Sequence, residues 1–125
     1  PEAYDKMEEL KAMDISCDAV IILGERYHKL ALEMAEKEAD PVRKEELKQI
    51  AANLEVVPAH APQTYWQAIQ LYWFTHLAVT TELNPWDAFS PGRLDQHLIK
   101  YYEADTEAGI LDDDKGKILQ PAGTC

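Results

Sequence analysis

The chain has 125 residues, with 23 acidic against 12 basic side chains and a net charge of −11. That length suits one helical domain over residues 1–125 with one core, and the charge repels the phosphates that nucleic acid or an anionic membrane surface would present, which excludes both as partners. Two cysteines, Cys17 and Cys125, without C-x-x-C spacing exclude a disulfide framework and a zinc ribbon and suit a reducing cytoplasm.

Pro1 to Met13 reads as a short acidic amphipathic helix with Tyr4, Met7, Leu10 and Ala12 or Met13 toward the core. Ile15, Ala19, Ile22, Leu23, Tyr27, Leu30, Ala31 and Met34 then keep helical spacing over about five turns, opposite Glu25, Lys29, Glu33, Glu36 and Lys37. Gly24 in the middle costs about 1 kcal/mol relative to Ala, so its presence predicts the close approach of another backbone. Asp40-Pro41 is a stop and restart, with Asp40 as cap and Pro41 at the first helical position. The stripe Leu47, Ile50, Ala51 and Leu54 follows, with Arg43, Lys44, Glu45, Glu46 and Lys48 solvated.

Val56 to Gln63, V-V-P-A-H-A-P-Q, contains two prolines and predicts an extended connector across the surface. Thr64 followed by Gln67 is a capping box that opens the next helix. From Tyr65 to Val79 that helix is apolar around its whole circumference, which predicts burial on all sides. Its run from Leu71 to Val79 is broken by Thr75 and His76, too short and polar for a membrane span. Asn84-Pro85 and Pro91-Gly92 end it in a pocket-type loop over residues 82–92 that carries Trp86, Asp87, Phe89 and Ser90. Leu94, Leu98, Ile99, Tyr101 and Tyr102 predict a further helix closed near Gly109, and Asp112 to Asp114 offer the start of another. No period-two alternation predicts a strand, so the expected fold is all-α, with four to five helices.

The residues offer little chemistry by themselves. Cys17 among Ile15, Val20 and Ile21 reads as a small buried hydrophobe. His28, His60, His76 and His97 lack ligand spacing, so no metal site is expected, and His76 reads as a hydrogen-bonded core histidine. Asp87 is either a pocket carboxylate or a cap within its loop, and Arg93 an ion-pair partner of Asp95 or Glu82. No complete catalytic set is present, so a stand-alone helical protein-association domain is one reading.

Three blocks point elsewhere: A-M-D-I-S-C-D-A-V-I-I-L-G-E-R-Y at Ala12 to Tyr27, V-P-A-H-A-P-Q-T-Y-W-Q-A-I-Q-L-Y-W-F-T-H-L at Val57 to Leu77, and F-S-P-G-R-L-D-Q-H-L at Phe89 to Leu98. In this order they resemble the glycyl radical enzymes, the pyruvate formate-lyase-like and glycerol or hydroxyproline dehydratase-like proteins, from about Pro1 to Asp114. The resemblance implies a cytoplasmic enzyme of anaerobic metabolism, an α/β barrel wrapped in helices. It further implies a glycyl radical, installed by a separate radical S-adenosylmethionine activase, that is passed to a cysteine on a barrel loop. Neither that loop nor an R-V-x-G-Y-type glycyl motif occurs here, so the chain is expected to be an internal piece of the N-terminal half, with no turnover and no cofactor of its own.

The segment ahead of the S-x-G-R motif lines the substrate pocket in the family, and the matching positions here are Asp87 and Ala88. An Asp there disfavours a substrate carboxylate and favours a hydroxyl or ammonium, which points to the dehydratase or C–N lyase branches rather than a formate acetyltransferase. Leu83-Asn84-Pro85-Trp86 departs from the family's polar Asn-Gly stretch, Lys100 stands where many relatives have Pro, and residues 116–125 match no block. The all-apolar helix also predicts self-association into a homo-oligomer, because the other predicted helices are too few to cover it.

Overall fold

A computed structural model describes residues 2–82 and 91–112, and among these residues the chain is helical with no strand. The elements are α1 (Glu2–Lys37), α2 (Pro41–Leu54), α3 (Tyr65–Glu82) and α4 (Leu94–Glu107). They fall into two compact units, Pro1–Ala59 and His60–Cys125.

In the first unit, the two helices expected over 1–13 and 15–34 are one helix of 36 residues. No Gly or Pro stands near Asp14 to end the first, and Ser16, a residue type that can compete with a helix, turns its hydroxyl back to donate to Ala12 O at 2.8 Å. Exposed pairs such as Glu2–Lys6 at 2.9 Å decorate this half and contribute only about 0.2–0.5 kcal/mol each. After Lys37 the Glu38 carboxylate accepts from the Ala39 and Asp40 amides and turns the chain. Asp40 then caps α2 as expected, accepting from Val42 N at 3.0 Å, with Pro41 just inside the helix.

The buried face of α1 is not the stripe that periodicity suggested. Gly24, Ala31 and Ala35 are buried, with His28 half-buried between them, whereas Ile15, Ile22, Tyr27, Leu30 and Met34 are exposed. Small residues let α2 approach closely, and its Leu47, Ala51 and Leu54 supply the bulk, as their spacing predicted. Tyr4, Met7, Leu10 and Met13, expected to face the core, are exposed, and so is Cys17. A close approach is made at Gly24, by the Pro58 ring more than by a backbone: a Cβ on Gly24 would stand 2.5 Å from Pro58 Cδ and 3.8 Å from Pro58 N. Residues 55–59 are therefore a turn folded onto α1, not the start of an extended connector. Val56 N and Val57 N both donate to Asn53 O, and the Val57 side chain is fully buried ahead of a cis Val57–Pro58 bond.

In the second unit Thr64 accepts from Gln67 N at 3.2 Å, while the Gln67 side chain accepts from Gln63 N at 2.8 Å, one residue earlier than a reciprocal capping box requires. Tyr65, Ala68, Ile69, Leu98 and Leu111 form the core, edged by Leu94, Tyr101 and Tyr102. The Tyr65 and Tyr102 rings meet edge to face at 5.5 Å. Complete burial of α3 is not observed. Trp73 is 48% exposed and Thr75 is exposed, since a helix apolar on every side needs more neighbours than α4 to enclose it. α4 ends as predicted at Gly109, whose φ of +70° closes a Schellman turn: Ile110 N donates to Asp105 O and Gly109 N to Thr106 O.

Candidate functional site

Residues 83–90 of the expected pocket loop lie outside the described residues, between α3 and the start of α4. Glu82 ends α3 exposed to solvent. On the other side Gly92 takes φ +69°, which only glycine adopts without strain, and Leu94 N donates to Gly92 O as α4 begins. Arg93 pairs with Asp95, as one of its two expected partners, through Nε to Oδ1 at 3.1 Å and Nη2 to Oδ2 at 2.8 Å. The hydrogen bond from Arg93 holds the Asp95 carboxyl below the usual carboxylate range, and the same bond raises Arg93. Asp87 and Ala88, the candidate substrate-binding residues, lie outside the described residues, as does Trp86.

Beside the Gly92 turn is an open groove of about 430 Å³ lined by Tyr65, Gly92, Leu94, Asp95, Leu98 and Tyr102. Tyr65, one of its lining residues, makes a contact that the sequence did not point to. Asp105 is 7% exposed, and its Oδ2 accepts from Tyr65 N at 2.8 Å. A carboxylate from α4 thus finishes the N-terminus of α3, where exposed amide donors and the helix dipole both favour negative charge. The signal was present: Leu98, Tyr101, Tyr102 and Asp105 share one helical face, so a charge there needs a partner.

The first unit has a matching arrangement at the opposite kind of helix end. His28 Nδ1 lies 2.9 Å from Ala51 O in the last turn of α2. A carbonyl only accepts, so Nδ1 carries the proton and donates. The groove around His28, about 490 Å³, is lined by Ile21, Glu25, Lys29, Leu54 and Pro58 among others. His60 and His97 are exposed. His76 is half-buried against the Tyr72 and Trp73 rings, and its Nδ1 lacks a protein hydrogen bond, contrary to the expected hydrogen-bonded histidine. Among the described residues no group of three His, Cys, Asp or Glu could hold a metal ion, and no helix is long and apolar enough to cross a membrane.

What the described residues define is scaffold: helices with local caps and small apolar cores edged by aromatic rings. Residues 1–119 match the pyruvate formate lyase-like family, and the chain belongs to that family. Trans-4-hydroxy-L-proline dehydratase of Clostridioides difficile is 58% identical over 118 residues, 94% of this chain and 15% of the dehydratase. Isethionate sulfite-lyase of Desulfovibrio desulfuricans is 44% identical over 107 residues, 86% of this chain and 13% of the lyase. The crystal structure of the C. difficile dehydratase with trans-4-hydroxy-L-proline bound superposes with a TM-score of 0.89 over 94% of this chain and 15% of that one. A glycyl radical enzyme from Archaeoglobus fulgidus superposes at 0.77 with 33% identity, over 94% of this chain and 16% of that one. The chain thus corresponds to a short, all-helical segment of a glycyl radical dehydratase or lyase. That correspondence along nearly its whole length does not favour the alternative of a self-standing association domain.

Proposed function

We propose that this chain is the part of a glycyl radical dehydratase that carries one wall of the substrate pocket, and that it has no turnover alone. Carrying this reading is the 58% identity to the C. difficile dehydratase over 94% of the chain. The order of elements is consistent with it: the segment that contains Asp87 and Ala88 connects α3 to the Gly92 turn ahead of α4. In this reading Asp87 accepts a hydrogen bond from a substrate hydroxyl or ammonium, and the small Ala88 leaves room beside it. The radical and the thiyl cysteine come from other parts of the full-length enzyme, and a radical S-adenosylmethionine activase installs the radical there. An anaerobic cytoplasm is the setting such a radical needs.

Exchange of the matching segment of the C. difficile dehydratase for this one tests the reading. The activated chimera is expected to dehydrate trans-4-hydroxy-L-proline, and its Asp87→Ala variant to lose about 2–4 kcal/mol of transition-state stabilisation, as removal of a charged hydrogen-bond partner in a closed site does. A folded chimera that carries the radical but turns over equally well with and without Asp87 overturns the pocket role. The 125-residue chain itself, treated anaerobically with activase and S-adenosylmethionine, is expected to give no glycyl radical signal by electron paramagnetic resonance.

A further inference from the structure

We draw no further inference here: the strongest candidate, the open groove of about 490 Å³ that α1, α2 and the 55–59 turn form around His28, carries nothing, because His28 Nδ1 already donates to Ala51 O and nothing in the structure shows what fills the rest of the groove.

Discussion

Asp105 and His28 do the same job at opposite helix ends, each finishing a helix with a side chain borrowed from another. Asp105 supplies an acceptor to the first amide of α3, and His28 supplies a donor to a last-turn carbonyl of α2. Removing one partner of a buried hydrogen bond strands the other, so Asp105→Ala is expected to destabilise its unit by about 1–3 kcal/mol, read by urea unfolding followed by circular dichroism. Asp105→Asn still accepts and is expected to lose less. His28→Ala is expected to lose about 1 kcal/mol, since its bond is only part-buried. The Arg93–Asp95 pair is fully exposed, at 69% and 66%, and contributes little after screening by water and salt. Its pH dependence has a definite sign. Arg93 depresses the Asp95 pKa in the folded state, so the contribution is present above the unfolded carboxylate pKa and lost as pH falls through the folded one. Titration of the Asp95 side chain by NMR is expected to move up toward the usual carboxylate range in Arg93→Ala; an unmoved curve sinks the assignment to Arg93.

At the scale of elements, the contact between Gly24 and Pro58 locks the 55–59 turn against α1. Alanine is the better helix former by about 1 kcal/mol, so propensity alone predicts that Gly24→Ala stabilises α1. The clash predicts the reverse. The new methyl would meet the Pro58 ring at 2.5 Å, and overpacking of this kind costs about 1–3 kcal/mol. The expected outcome is a net loss, largely relieved in Gly24→Ala with Pro58→Ala, where the helix gain reappears. A stabilised single variant would show that the turn yields freely.

For the whole molecule, α3 carries the prediction. With Trp73 exposed and most of its other side chains only half-covered, it presents an apolar surface of its own, and self-association of the 125-residue chain through it is the expected behaviour. The net charge of −11 opposes association, so the assembly is expected to tighten as salt rises. Sedimentation equilibrium at low and high ionic strength measures this. A monomer at every concentration in both would mean that the partly covered surface of α3 is too small to drive pairing.

What the sequence determined by itself is local. Asp40-Pro41, Thr64 and Gly109 fix where helices begin and end because capping and a positive φ are short-range requirements, met by residues within a few positions. Gly24 announced a close contact because a glycine there has a known local cost. The helical class followed from periodicity, and family membership from three ordered blocks. Only the tertiary structure decided which face of α1 is buried: Ile22 and Ala31, both counted in one broad apolar stripe, lie about half a turn apart, and only Ala31 is buried. The same holds for Cys17, whose apolar neighbours in sequence said nothing of the uncovered helix half on which it sits. Asp105 was readable as a charge on an apolar face, but its partner, Tyr65 N, is forty residues away, and only the packing of α4 against α3 brings them together. Asp87 and Ala88 lie outside the described residues, and their pocket role rests on the resemblance. Periodicity states that a helix has an apolar side; what lies against that side is set by long-range contacts that no local pattern encodes.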